Sequence, residues 1–257
     1  MNINPALVEE IAPTGRLRAS INLASTVLAF SYTDSAKLAG VTIDLSREFA
    51  RRLGVSAEFR EWGNPGDAFQ ALVEQQADVA FLAVDSKRAE KVQFTAPYVQ
   101  IEAGYLALED SEFHRITDVD REGVEVLVIE TSAYDLYLSR ALQHASVRRF
   151  PTGEEAFSAL LQDRPGRKIL AGVKQALSQD MKREGGLHML PGSFMAINQA
   201  VALPRDCSCE ARELIEGILS DLVNSGFIAE SLAKHGIEGV GVVAAGAIPY
   251  EAVSTPQ

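Results

Sequence analysis

Two spacings of apolar residues alternate along the first part of the chain. Apolar positions recur every second residue over 16–23, as in a β-strand, and at helical spacing over 43–53. A strand is predicted over 55–62, followed by a helix that begins at Asn64 and by a buried strand over 78–84. This β-α-β-α-β order predicts a mostly parallel sheet with helices on both faces.

The same order of elements begins again after about residue 120. Apolar runs predict strands over 123–129, 146–150 and 168–173. Ser132 and Asp135 stand at the spacing of a capping box, which predicts a helix start between the first two of these strands. The fold class predicted from the pattern is therefore α/β, with two βαβ-type units.

The last quarter of the chain is predicted to be helical and then irregular. Periodic apolar residues favour a helix from about Asp206 to Gly226 and a shorter one over 227–234. The segment 239–257 is rich in glycine, alanine and proline, and we expect it to be loosely structured.

Composition narrows the class of protein. Of 257 residues, 47% are hydrophobic and 23% are charged, as in soluble globular chains, and the formal net charge of −11 disfavours nucleic-acid binding. No apolar run is long enough to span a bilayer. Residues 1–13 lack the features of a signal peptide, which indicates either a processed chain or a cytoplasmic protein.

Neither a metal site nor a cofactor is expected. Cys207 and Cys209 are separated by one residue, and a disulfide across that spacing would be strained, so both are expected to be free thiols. The four histidines are scattered, and no clustered ligands complete a metal site around the cysteines.

Several short segments, in order, resemble the family 3 extracellular solute-binding proteins, the periplasmic receptors of polar amino-acid ABC importers. The segments are GRLR at 15–18, AGVTIDL at 39–45, DVA at 78–80, Arg88, FTAPY at 94–98, ITDV at 116–119, TSAY at 131–134 and SGF at 225–227. Each is weak alone, but together they span more than 200 residues.

The resemblance implies a periplasmic binding protein-like II fold, in which two α/β lobes are joined by two crossing strands. Lobe 1 would comprise 1–101 plus 200–257, and lobe 2 would comprise 102–199. It further implies a small-molecule ligand in the cleft between the lobes, hinge closure on that ligand, a monomer without direct membrane insertion, and an ABC permease as partner. It favours a periplasmic location, with a cytoplasmic one as the alternative.

The resemblance also assigns ligand contacts in lobe 1. Arg88 matches the arginine that binds the ligand carboxylate, and a guanidinium suits this role because it forms bidentate hydrogen bonds. Asn22, Ser25 and Thr26 are candidate hydrogen-bonding groups, and Trp62 a candidate aromatic wall. The alternatives are a solvated arginine, an ordinary loop and a core tryptophan.

In lobe 2 the candidates are Thr131 and Ser132, which end a strand and open a helix; ordinary capping is the alternative. Gln199, at the second crossover, is a candidate for a polar group of the ligand. Lys174 is a candidate for an anion, with a solvated surface lysine as the alternative.

The most informative departure from the family lies in lobe 2. Members that bind α-amino acids place an aspartate where this chain has Val173. Either Asp85, Glu102 or Glu130 takes its place, or the ligand has no α-ammonium group, since an unpaired buried ammonium is costly. We favour the second alternative at this point.

Two other functions compete with a solute-binding protein that performs no chemistry. One is a cyclohexadienyl-dehydratase-like enzyme on the same fold, with Glu102 or Glu130 as general acid. The other is a cytoplasmic ligand-sensing relative. No nucleophile–base pair, GxSxG motif or phosphate-binding loop supports an enzyme.

Overall fold

The computed structural model describes residues 3–32, 37–162 and 167–247. The helices are α1 (Pro5–Ile11), α2 (Val41–Leu53), α3 (Pro65–Val73), α4 (Ser86–Ala89), α5 (Ala133–Ala141), α6 (Gly153–Leu161), α7 (Lys174–Arg183), α8 (Cys209–Asn224) and α9 (Phe227–Lys234). The strands are β1 (Arg16–Asn22), β2 (Phe30–Tyr32), β3 (Lys37–Ala39), β4 (Ser56–Trp62), β5 (Val79–Ala83), β6 (Val92–Leu108), β7 (Glu125–Ile129), β8 (Ser146–Phe150), β9 (Lys168–Val173), β10 (Leu187–Met189), β11 (Met195–Pro204) and β12 (Val240–Val242).

These elements form two compact units. The first contains the described residues up to Gln100 and those from Asn198 onward, and the second contains Ile101–Ile197. The chain therefore passes from one unit to the other within β6 and again within β11.

The sheet of the first unit is mixed. β1 lies between β4 and β5, and both pairings are parallel. The end of β11 pairs antiparallel with β5. Helices α2 and α3 pack on β1 and β4, while α8 and α9 pack on each other and on α2. The largest fully buried side chains of this unit include Leu17, Ile21, Ile43, Leu45, Phe49, Leu72 and Tyr98.

Local chemistry explains where the helices of the first unit begin and end. The Asn64 side chain accepts the backbone N–H of Asp67 at 2.8 Å, so the predicted N-cap of α3 is confirmed. Helix α2 ends at Gly54 in the left-handed conformation. Gly40, before α2, has φ +114°, and a Cβ there would collide with the backbone of Leu28.

The second unit repeats the parallel arrangement. β7 lies between β8 and β9 in parallel pairings, and the end of β6 pairs antiparallel with β9 and with β10. Its core is formed by Leu106, Leu127, Phe157, Leu160, Leu170 and Leu177 with their neighbours. The predicted bounds of β8 and β9 are confirmed, as is the predicted helix start at Ser132. Helix α6 begins after Thr152, whose side chain accepts the Glu155 N–H.

The expectation of a loose C-terminal segment is wrong for its first part. Val240–Val242 form β12, which pairs with β6, and the Val243 N–H donates to the Tyr98 carbonyl at 3.0 Å. Glycine-rich composition predicts a loop, but the backbone of β6 supplies partners for this segment. Residues 248–257 lie outside the described residues.

Candidate functional site

The first unit gathers its predicted site residues at one edge of its sheet. Since β1, β4 and β5 are parallel, their carboxyl ends share an edge. Asn22 and Trp62 are register partners at the ends of β1 and β4, and Gln199 is the register partner of Ala83 at the end of β5. Carboxyl ends of parallel strands are where α/β sheets bind ligands.

Arg88 and Asp85 follow β5 directly at this edge. The Asp85 carboxylate caps α4 by accepting the backbone N–H groups of Lys87 at 3.0 Å and of Arg88 at 3.3 Å. The Arg88 side chain is buried, its Nη1 donates to the Ala83 carbonyl at 3.1 Å, and its guanidinium lies 5.9 Å from the ring of Phe69. Arg88 is therefore held by the protein backbone and an aromatic ring.

Burial alters the acid–base balance of Arg88 without removing its charge at neutral pH. Desolvation lowers the pKa of the guanidinium to about 10, and the charge of Asp85 opposes that shift. A buried cation is costly, and it binds an anion strongly because little water screens the pair.

Some of the remaining predicted residues of this edge already form hydrogen bonds within the protein. Asn22 Oδ1 accepts the Ala24 N–H at 3.0 Å, and the Ser25 carbonyl starts a turn. Thr26 is exposed. The Trp62 ring packs against the core cluster below the edge, and its Nε1 is buried with no hydrogen-bond partner among the described residues.

The second unit brings Thr131, Ser132 and Lys174 to the corresponding edge of its own sheet. Thr131 and Ser132 follow β7, and Lys174 follows β9, which is parallel to β7. Glu102 also belongs to this edge, because Ala103 is the register partner of Val173.

Thr131 adopts a backbone conformation that is uncommon for threonine. Its φ is +59°, and its N–H donates to Asp135 Oδ2 at 2.9 Å. Ser132 Oγ accepts the Asp135 N–H at 3.1 Å, which confirms Ser132 as the N-cap of α5. Asp135 accepts the N–H of Thr131, whereas the Ser132 N–H donates to the Ile129 carbonyl, so only the Ser132 half of the predicted capping box forms.

Lys174 lies beside a carboxylate. Its Nζ is 2.6 Å from Glu102 Oε2, and the two side chains are 27% and 53% exposed. The lysine is neither an isolated cation nor a fully solvated one. The sequence offered no sign of this pair, because 72 residues separate its members.

The sequence pattern did not predict a group of three aromatic side chains in the second unit. Phe194 stacks on Tyr105 with ring centroids 4.3 Å apart and lies 6.1 Å from Tyr137. Burial, together with nearby Tyr137 and Asp120, raises the pKa of the Tyr105 hydroxyl above its ordinary value. The Phe194 N–H donates to the carbonyl of Ala103, which pairs with the end of β9, so the aromatic group lies next to the strand-end edge of this unit.

Three other features bear on the class of site: the thiols, groups of metal-ligating side chains and apolar helices. Both cysteines are free, and burial raises the pKa of the Cys207 thiol to about 11, helped by Glu10 and Asp206. Within 3–32, 37–162 and 167–247, no three histidine, cysteine, aspartate or glutamate side chains are grouped to hold a metal ion. No helix in these same ranges is long and apolar enough to cross a membrane.

One curated relative covers part of the chain. The sequence is 30% identical over 132 residues to the membrane-bound lytic murein transglycosylase F of Saccharophagus degradans. That match takes in 51% of this chain and 26% of the relative, so the chain spans about a quarter of the transglycosylase.

Solved structures share the fold over nearly the whole chain. A mutant of ArgBP from T. maritima matches with a TM-score of 0.75 at 22% identity, covering 89% of this chain and 98% of that one. The L-arginine-bound AbpA of Streptococcus pneumoniae matches with a TM-score of 0.75 at 18% identity, covering 90% and 99%. An ancestral amino acid-binding protein, a precursor of cyclohexadienyl dehydratase, matches with a TM-score of 0.73 at 19% identity, covering 88% of this chain and 98% of that one.

The fold expected from the sequence is confirmed, since these neighbours are type II periplasmic binding proteins. The profile of the bacterial extracellular solute-binding proteins, family 3, matches residues 20–237. The chain belongs to the bacterial extracellular solute-binding proteins of family 3.

Proposed function

We propose that this protein captures a small polar ligand bearing a carboxylate, either amino-acid-like or an organic acid, with Arg88 as the partner of that carboxylate. The observation that carries the proposal is the buried guanidinium at the strand-end edge of the first unit, held by the Ala83 carbonyl and Phe69. A guanidinium in this setting offers paired donors of fixed geometry to a carboxylate.

The second unit is proposed to complete recognition through Thr131, Ser132 and Lys174, while Asn22 and Gln199 supply hydrogen bonds from the first. A ligand that contacts residues of both units stabilises the arrangement in which all these contacts form at once. The proposed mechanism is therefore a population shift without covalent chemistry.

The presence of an α-ammonium group on the ligand is a separate point. Val173 carries no charge, and Glu102 is already beside Lys174. This supports an organic acid, whereas the family and the arginine-bound neighbour support an amino acid. Comparing each α-amino acid with the acid that lacks its amino group separates the two.

The test is a thermal-shift screen of the full chain against amino acids, organic acids, polyols and amines, followed by calorimetry. A ligand at 100 times its dissociation constant stabilises by about 2.7 kcal/mol, which raises Tm by about 5–10 °C. Arg88→Met keeps the buried volume and removes the charge, and we expect it to weaken carboxylate binding at least about 100-fold.

The matched control is Lys87→Met, which removes an exposed cation from the adjacent position and should leave affinity unchanged. Binding that is indifferent to Arg88→Met would refute the assignment of Arg88. The absence of any carboxylate ligand would refute the proposed function.

An enzyme is the second candidate, favoured by the structural neighbour that is a precursor of cyclohexadienyl dehydratase. A general acid needs a desolvated carboxyl group, but Glu102 is 53% exposed and lies beside Lys174. We therefore propose binding without turnover. Release of product from prephenate or arogenate by the purified protein, lost in Glu102→Gln, would contradict this.

The family is extracellular or periplasmic in general. For this chain we propose a periplasmic location, an ABC permease as partner and a monomeric state. Light scattering on the purified protein tests the monomeric state. Fractionation of cells that produce the protein tests the periplasmic location. A sensing role in the cytoplasm would instead require the protein in the cytoplasmic fraction.

A further inference from the structure

The C-terminal strand β12 lies along one of the two strands that cross between the units. β6 leaves the first unit after Gln100, and β12 pairs with β6 on the first-unit side of that point. The Val243 N–H donates to the Tyr98 carbonyl at 3.0 Å, and a Cβ on Gly241 would lie 3.8 Å from the Gln100 carbonyl oxygen. The two strands are therefore antiparallel, and β12 follows β6 as far as the last residue of the first unit.

On its other side β6 pairs with β11, the second crossing strand. Gln100 Nε2 donates to Asn198 Oδ1 at 3.0 Å, and the Asn198 carbonyl accepts the Val84 N–H at 2.9 Å. Gln100 and Asn198 are the residues at which the two strands leave and re-enter the first unit. In this unit both crossing strands are therefore paired up to the crossing, with β12 on one side and β5 on the other.

The second unit holds β6 from Glu102 onward. Glu102 forms the ion pair with Lys174 at 2.6 Å, and Ala103 is the register partner of Val173 in β9. The Ala103 carbonyl also accepts the Phe194 N–H at 3.0 Å. Side-chain and backbone contacts thus fix β6 again within two residues of the point where it leaves the first unit.

The strand β12 is itself attached to the body of the first unit. It packs on α9, and α9 is joined to α2 by hydrogen bonds from Ser231 and Lys234 to Asp44. A strand that is paired on both sides can change its backbone dihedral angles only by breaking hydrogen bonds on both sides. A change in angle between two units is therefore absorbed by residues that lack such partners.

We propose that β12 is a strap that holds β6 extended as far as Gln100 and confines the bending of this crossing to Ile101. Without the strap, residues 98–101 would bend as part of a two-stranded ribbon, and such a ribbon is only marginally stable by itself. The use of this bending in ligand capture rests on the proposed function, whereas the strap itself requires no ligand.

The first test is hydrogen exchange in the full chain without ligand. Val243→Pro removes the N–H that donates to Tyr98, and the matched control Val243→Ala shortens the same side chain but keeps the N–H. Exchange in segment 98–100 should be at least about 10-fold faster than wild type in Val243→Pro and within about 2-fold of it in Val243→Ala. Segments 16–22 and 125–129 should be unchanged in both variants, because the cores of the two units stay folded.

The second test measures the spread of distances between the units. Spin labels are placed at Arg51→Cys and Glu122→Cys, whose native side chains are exposed, in a chain that also carries Cys207→Ser and Cys209→Ser. Without ligand, the distance distribution from double electron–electron resonance should be at least about 1.5-fold wider in Val243→Pro than in the wild type. Val243→Ala should leave its width unchanged.

Each adverse outcome has a distinct meaning. Unchanged exchange in segment 98–100 of Val243→Pro would show that β12 does not hold β6. Faster exchange with an unchanged distance distribution would show that the bending is not confined by the strap. Equal effects of Val243→Pro and Val243→Ala would also overturn the inference. The absence of any carboxylate ligand would refute the proposed function and leave these ligand-free results as they are.

Discussion

Replacing Asp44 by asparagine should loosen the attachment of α9 to α2. Asp44 Oδ2 accepts the Ser231 hydroxyl at 2.8 Å and lies 2.9 Å from both Lys234 Nζ and His235 Nε2. The side chains of Asp44 and His235 are 11% and 6% exposed, and Ser231 is buried, whereas Lys234 is 63% exposed. The network therefore consists of two buried contacts and one exposed one.

The magnitude follows from these exposures. A hydrogen bond to a buried charge contributes about 1.5–3 kcal/mol, and an exposed ion pair contributes at most about 1 kcal/mol. Asparagine retains one acceptor, so Asp44→Asn should lower the free energy of unfolding by about 2–4 kcal/mol at pH 7. For a chain of this size, that lowers Tm by about 5–15 °C.

The assay is urea unfolding with Glu48→Gln as the control on the same helix. The hydrogen bond from Arg51 is the largest of the effects that lower the pKa of Glu48 to about 2, yet Arg51 is 70% exposed. Such a surface network contributes at most about 1 kcal/mol. A loss in Asp44→Asn no larger than that in Glu48→Gln would refute the reasoning.

The same network predicts a pH dependence. Burial acts to raise the pKa of Asp44, but hydrogen bonds from Lys234, Ser231 and His235 outweigh it, and the pKa lies below its ordinary value. The contribution of the ionised carboxylate is therefore complete above the unfolded pKa of about 3.9 and is lost as the pH falls through the folded value. Between pH 4 and pH 3 the wild type should lose more stability than Asp44→Asn.

Two further substitutions test packing and a buried ion pair. Gly40→Ala should lower the free energy of unfolding by more than about 3 kcal/mol in denaturant unfolding, because its Cβ would collide with the Leu28 backbone at a φ of +114°. The control Gly15→Ala, with open space around it, should lower it by only about 1 kcal/mol. Equal losses in the two variants would contradict the collision. Asp78→Asn should lower the free energy of unfolding by about 3–5 kcal/mol, because the Asp78 carboxylate accepts hydrogen bonds from the backbone N–H and from the guanidinium of Arg18 in a partly buried pair. A loss below about 1 kcal/mol would show that solvent replaces the carboxylate.

Much of the local structure was predictable because it depends on contacts within one turn of helix or one strand. The predicted N-caps at Asn64 and Ser132 each bond to a backbone N–H three residues later, and the structure has both hydrogen bonds. The family and its two-lobed α/β fold were also predictable, since the matching motifs lie in order over most of the chain.

For parts of the candidate site, the sequence predicted which residues to expect but not their burial or their partners. Arg88 was predicted as a ligand contact, and this stays a prediction, but its burial over Phe69 depends on how α3 packs beside β5. Lys174 was predicted to contact an anion, but its ion pair with Glu102 was not predicted. The register between β6 and β9 brings these two residues together, and that register is not visible in the local sequence.

The sequence by itself determined the periodic elements, their caps and the family, because each depends on neighbours close in the chain or on motifs in order. Only the tertiary structure decided which distant groups meet: β12 on β6, Asp135 with Arg149, and Asp44 with the residues of α9 some 190 positions later. Those contacts depend on sheet register and helix packing, and neither leaves a local signature in the chain.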